Sequence, residues 1–441
     1  MHLKTTPHAI RALATAGCLT ALGSLFLGLF SAYAADWPGW RGADRTGVSN
    51  EKGLLTAWPK EGPKLLWQMD GCGKGFSSVA VAGGRIFTLG RRKDKEAECL
   101  IAKSEKDGSE LWVTAFGTSG ESNGTPIVDG DHVYGIGRDG DLACFKAATG
   151  EKIWSRRFDK DFGGKMMSGW GYSECPLIDG DRLICTPGAQ DAMIVALDKL
   201  TGKEVWRSEV PENLGDRGQN GAGYSSIVVS NGGGVRQYIQ LTGRGIIGIR
   251  ASDGQYLWHY NAVANGTANI PTPIVSGDFV FCSTGYGAGS ALLKLSKTGD
   301  GIVVEEQYFL ESQKLQNHHG GMILIDGYIY CGHKHNEGFP ICVKLDDGEI
   351  AWGGDTRGEG KGSAAVTAAG GHLIFRYQSG EVVLIEATNE AYRVKGAFKP
   401  AFKDRESWAH PVVVNRRLYL REQDKLMCYD MRKPIGVENL P

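Results

Sequence analysis

One short pattern returns along this chain and restricts what it can fold into: a turn closed by Thr-Gly or Asp-Gly, then a strand reaching tryptophan. It reads DGSELW at 107–112, TGEKIW at 149–154, TGKEVW at 201–206, DGQYLW at 253–258 and DGEIAW at 347–352, and Trp67 ends a lone KLLW near the start. From Trp67 through Trp112, Trp154 and Trp206 to Trp258 the spacings are 45, 42, 52 and 52, and the next, to Trp352, is 94. That last gap is two units long, so a missing unit is expected at Thr298-Gly299 with Val303 in the tryptophan's place. A second degenerate copy is expected at Thr388-Asn389, with Arg393 there. Ahead of each turn lie two alternating runs around an Asp-Gly or Ser-Gly pair, as in TPIVDGDHVYGIG at 125–137 and TPIVSGDFVFCSTG at 272–285. Such runs read as β-hairpins. Each unit therefore supplies four short strands, A to D, and four-stranded units of roughly 40–50 residues predict a β-propeller.

The A strands begin near Ser77, Thr125, Cys175, Ser225, Thr272, Met322, Ala364 and His410, which makes eight blades. The last copy, residues 411–430, stops before any D strand, while residues 64–69 form a spare D strand at the other end. The expected fold is all-β: an eight-bladed β-propeller of four-stranded antiparallel blades, closed by the N-terminal strand in the C-terminal blade. Closure leaves no open sheet edge for aggregation. The chain then divides into a signal peptide at 1–34, an N-terminal extension at 35–63, the propeller at 64–431 and a tail at 432–441. Glycine supports a turn-rich chain, since 64 of 441 residues is about twice the usual share of roughly 7%. A 41% hydrophobic content excludes a disordered chain, and a net charge of −1 excludes a strongly basic nucleic-acid binder.

Lys4 and Arg11 precede an uncharged stretch, residues 12–35, that closes in Ala32-Tyr33-Ala34. This predicts a secretory signal peptide cleaved between Ala34 and Ala35, and export to the periplasm or cell envelope. The rival is a retained anchor, because the stretch is long enough to span a bilayer; no transmembrane span is expected after its removal. Loss of Cys18 leaves nine cysteines, none adjacent and none in a CxxC pair. Cys185, Cys282 and Cys331 share one position of strand B, and Cys144, Cys342 and Cys428 share one of strand C. They are expected to be free, buried and small, as packing residues.

In a propeller the D–A and B–C loops emerge on one face. Here the D–A loops are glycine-rich, among them GCGKGFSS at 71–78, SGWGYS at 168–173, DRGQNGAGYS at 216–225 and NHHGG at 317–321. One reading is a funnel that binds a small molecule or a peptide segment, with Trp170, Tyr172, Asn220, Tyr224, Asn317 and Trp408 as contacts. The other is that glycine only makes tight turns. Histidines gather in one sector: His318 and His319 precede strand A of blade six, His333 and His335 sit in its B–C loop, and His410 begins blade eight. His319 is expected to approach His333 or His335. Zinc needs at least three ligands in fixed geometry and HKH spacing is weak, so no metal is predicted and the histidines join the ligand contacts. No GxSxG, HExxH or P-loop occurs, and no catalytic residue is assigned. The run RRKDKEAE at 91–98 reads as a solvated B–C loop.

The TGxxxW pieces, with xPxxxDGxxY ahead of them, resemble the tryptophan-docking repeats of the quinoprotein-type, PQQ-like β-propeller family over residues 64–431. That family includes pyrroloquinoline-quinone (PQQ) dehydrogenases and non-enzymatic relatives, notably the outer-membrane β-barrel assembly lipoprotein B. The opening WPGWRGADRTGVS at 37–49 is similar to the start of many exported PQQ-like propellers. The resemblance implies structural roles for Trp67, Trp112, Trp154, Trp206, Trp258 and Trp352, each ring packing between blades. It also implies either a non-catalytic binding or scaffold protein, meeting an envelope protein or small molecule on the glycine-rich face, or a PQQ- and Ca²⁺-dependent alcohol or sugar dehydrogenase. Methanol-type dehydrogenases hold their quinone against a disulfide of adjacent cysteines, and no such pair occurs here. No loop is rich enough in acids for Ca²⁺. The scaffold reading therefore leads, with no cofactor predicted, although the lipidation box of the assembly lipoprotein is missing.

Overall fold

The computed structural model describes residues 36–118 and 120–434, so the signal peptide read at 1–34 lies outside the described residues. Strands of mostly three to six residues, separated by tight turns, form eight antiparallel sheets in chain order. Blade one consists of Ala80–Ala82, Arg85–Arg92, Ala97–Ser104 and Glu110–Ala115. Blade eight takes Val412–Val414, Arg417–Glu422 and Lys425–Asp430 from one end of the chain and Leu65–Met69 from the other. Leu65 stands opposite Tyr429 and Trp67 opposite Cys428, the closure expected from the spare strand. At the A–B turn of blade six Asp326 and Gly327 both have positive φ, 49° and 79°. A two-residue hairpin matching the strand twist requires this.

The register explains the repeated tryptophan. On strand C it faces a small residue every time: Ala102, Cys144, Ala196, Gly248, Cys342 or Cys428. For Trp67, Trp112, Trp154 and Trp206 the ring then lies over the turn glycine of the next blade, Gly108, Gly150, Gly202 and Gly254. A Cβ on Gly150 would meet Trp112 at 2.4 Å, and one on Gly202 would meet Trp154 at 2.6 Å. Glycine is thus required twice at this turn, for its φ of 73° or 67° and for the close approach. Trp112, Trp154 and Trp352 donate Nε1–H to Ala147, Lys199 and Thr388 carbonyls across the blade boundary. The nine described cysteines are free and buried, as the repeat alignment led us to expect.

Two expectations about degenerate units need correction. In blade five the tryptophan's place belongs to Tyr308 and not Val303: Tyr308 pairs with Leu292 just before the bulge that follows each tryptophan pair. Its hydroxyl donates to Leu345 O at 2.7 Å, and its ring lies over Gly348. Val303 sits in a long outer hairpin, Gly289–Thr298 and Gly301–Leu310, that displaced the count. In blade seven the position is Gly396, paired with Leu384, and not Arg393. Large and small have changed sides, and Trp58 of the N-terminal extension lies against Gly396 while its ring meets Phe398 at 5.3 Å.

Blade seven also carries a fifth strand. Val48–Ser49 pairs in parallel with Ala364–Ala369, the innermost strand, so the extension enters the central channel. Blade eight is tied to its neighbours by buried charge. Arg421 reaches the carbonyls of Cys72, Gly73, Ser77 and Leu89 in the segment leading into blade one and its B strand. Glu422 pairs with Arg376 of blade seven at 2.8 Å, and both side chains are only 1% exposed.

Candidate functional site

Residues 36–55 lie across the channel and touch every blade. Trp37 exchanges backbone hydrogen bonds with Val81 of blade one, and Val128 N–H of blade two donates to Pro38 O. Arg45 spans blades three and four, donating to Cys175 O, Pro176 O and Ile227 O at 2.6–2.7 Å. Trp40 Nε1–H donates to Thr272 Oγ1 of blade five at 3.3 Å, and Arg41 donates to Met322 O of blade six. Ala368 N–H of blade seven donates to Gly47 O, and Asn415 N–H of blade eight to Glu51 Oε1. Arg41 and Arg45 hold φ of 60° and 58°, an unfavourable backbone region for such residues. The buried bonds of their guanidinium groups offset that strain. The channel is therefore blind, with Trp40 in its floor.

Above Trp40, towards the D–A and B–C loops, is a cavity of about 300 Å³. Of the candidates, Trp170, Tyr224, His318, His319, His335, Trp408 and His410 line it. Trp408 donates Nε1–H to Gln378 Oε1 at 3.0 Å, and its ring meets Phe76 at 4.5 Å. Trp170 is held by its backbone: its carbonyl accepts from Asn123 Nδ2 at 2.9 Å, and Tyr224 Oη lies 3.4 Å from its amide N. His318 bridges Ser363 Oγ at 2.7 Å and Tyr286 Oη at 3.1 Å. The imidazole of His335 lies 4.3 Å from that of His318 and 4.2 Å from the Tyr286 ring. The approach expected of His319 thus belongs to His318, while His319 turns to Trp408 and His410 meets Trp40 at 4.3 Å.

Four candidates do not line the cavity. Tyr172 points inward to Pro187 O at 2.8 Å and packs on Phe158. Asn317 is buried and donates to Gly321 and Gly332 carbonyls. His333 accepts from Gln316 N–H, and Asn220 accepts from Arg244 on a separate part of the surface. Sequence reasoning missed Trp40, Phe76, Tyr286 and Gln378. Phe76 lies within the glycine-rich loop at 71–78, between glycines and serines; Tyr286, at φ 58°, is in a B–C loop whose left-handed turn aims it inward.

Burial, and then neighbouring histidines, push the pKa of His318 down to about 2; burial and the His410 imidazole bring His319 to about 3. Burial and the Arg41 charge bring His410 to about 3. All three are neutral at pH 7. Among the described residues the lining holds no Asp, Glu, Lys or Arg, and no three His, Cys, Asp or Glu side chains converge as metal ligands.

A family model described as outer membrane protein assembly factor BamB matches residues 96–354, more than half of the chain. The chain belongs to this family. Within it, the BamB of Burkholderia pseudomallei is 22% identical over 198 residues, 45% of this chain. The match spans 42% of that protein, under half its length. The crystal structure of BamB from Moraxella catarrhalis superposes with a TM-score of 0.58 at 14% identity, covering 86% of this chain and 99% of that one. A quinohemoprotein alcohol dehydrogenase of Pseudomonas putida superposes at 0.60 with 13% identity, covering 92% and 82%. At such identities these structures share the fold.

The site gives stability a two-sided pH dependence. The histidines have folded-state pKa values below their unfolded value of about 6.5, so their contribution is full above that pH and is lost as pH falls towards 3. Glu174, buried next to the lining residue Ser173 at the start of blade three, has the opposite sign. Burial raises it to about 8, although Thr186 N–H and Oγ1–H donate to it. Its contribution is full below about pH 4.5 and is lost as pH rises through 8. Urea unfolding midpoints should peak between pH 5 and 7, and in Glu174→Gln the decline on the alkaline side should flatten.

Proposed function

We propose that this chain is an exported, non-catalytic propeller that works in the cell envelope as a binding or scaffold protein and engages its ligand or partner at the loop face. The observation that carries this reading is the blind central cavity, walled by aromatic and neutral imidazole rings and floored by the chain's own N-terminal extension. Family membership and the exported leader read at residues 1–34 support it. No helix among the described residues is long and apolar enough to cross a membrane. A quinone-dependent dehydrogenase is the alternative. PQQ is a polycarboxylate accompanied by Ca²⁺, so it needs cations for its carboxylates and several oxygen ligands for the metal. The residues that line the cavity fit neither.

The test combines fractionation with site-directed photocrosslinking in the native cell. The mature protein should be found in the envelope fraction. A photoreactive residue at Trp170 should give adducts that one at Leu200, in an exposed C–D turn, does not. Cytosolic location, equal adducts at both positions, or dye reduction on adding PQQ and Ca²⁺ would overturn the proposal.

A further inference from the structure

We infer that the ligand of the central cavity is an uncharged sugar, held as a ring of a neutral oligosaccharide; this rests on the binding function proposed above and names its ligand class. Three properties of the lining converge. It is electrically neutral: it lacks acidic and basic side chains, and its deepest histidines are uncharged at pH 7. An anion or a cation brought there would lose its hydration without meeting a charged side chain in the lining, since the Arg41 guanidinium beside His410 is engaged by the Thr46 and Met322 carbonyls. It is aromatic, with Trp40 below, Trp408 packed against Phe76 at the side and Trp170 at the mouth. Trp170 is 56% exposed and is the one aromatic among the exposed large hydrophobic side chains of the described residues.

Aromatic faces carry partial negative charge and attract the polarised C–H faces of pyranose rings, which lie flat against them. A purely apolar ligand is disfavoured by the third property, the density of neutral hydrogen-bonding groups. Asn123, Ser173, Thr272 and Gln378 share the lining with the His318, His319, His335 and His410 rings. Hydroxyl groups both donate and accept, and so can satisfy a neutral imidazole in either tautomer. At about 300 Å³ the cavity is at the small end of ligand pockets, suited to the end of a chain whose remainder leaves past Trp170.

The test is calorimetric and tryptophan-fluorescence titration of the full mature chain with cellotetraose, maltotetraose, mannotetraose and chitotetraose, with tetragalacturonate as the charged counterpart. At least one neutral tetrasaccharide should bind saturably at pH 7 and shift the emission, and tetragalacturonate should bind at least about tenfold more weakly. Trp170→Ala, at an exposed position that leaves the fold intact, should weaken binding about tenfold or more. Trp408→Phe, which keeps a ring but loses the bond to Gln378, should weaken it less. Binding of none of the four, preference for the galacturonate, or an unchanged affinity in Trp170→Ala would overturn the inference. If no sugar binds but crosslinking at Trp170 still yields a specific polypeptide adduct, the sugar is wrong and the binding role stands. If neither occurs, both fall.

Discussion

Glu422→Ala should lower the stability of the ring by about 3–5 kcal/mol, the usual cost of leaving one member of a buried ion pair alone. Glu422 accepts from Arg376 at 2.8 Å and from Ser407 Oγ at 2.6 Å, both buried, and from the backbone of Arg405 at 3.1 Å. Without it the Arg376 guanidinium keeps only Ala409 O. The double variant Arg376→Met with Glu422→Leu removes both charges and should cost less than the single one. Guanidinium unfolding curves of the three proteins decide the matter: a single variant no less stable than the double would show that the charge pair is not what ties blade seven to blade eight.

Arg45→Ala should cost about 3 kcal/mol or more, because three carbonyls from two blades lose a charged donor at once. The loss should be local first. Limited proteolysis should cut within residues 36–55 in the variant under conditions that leave the wild type whole. Arg45→Lys should recover only part of the stability, since an ammonium cannot repeat the fork of a guanidinium. Equal protease resistance in Arg45→Ala would mean that the extension is held by Trp37 and the Val48–Ser49 strand instead.

The ring was legible because at four blade boundaries the glycine of one blade and the tryptophan of the preceding one form a single contact, so neither can change alone. The count failed locally where that contact was rebuilt from other residues. Tyr308 keeps the hydrogen bond but not the letter, and Gly396 hands the bulk to Leu384 and Trp58. The site was half legible. Gly-rich loops marked the right face, but whether a loop aromatic faces the channel depends on backbone torsions that composition does not encode. Trp170 projects to the mouth while Tyr172, two residues on, turns into the core. Trp40 was out of reach for another reason: its position follows from contacts more than two hundred residues away.

The same threading bears on how the molecule is made. The segment that floors the channel and the strand that completes blade eight leave the ribosome before any of the blades they touch; the floor segment gains its partners blade by blade, from Val81 to Asn415, whereas Leu65–Met69 has no strand partner until Lys425–Asp430 has emerged. Contacts of such long sequence separation form late and slowly. During synthesis Trp40 waits for blade five and Leu65–Met69 for blade eight, and in this interval the polypeptide is exposed to misassembly.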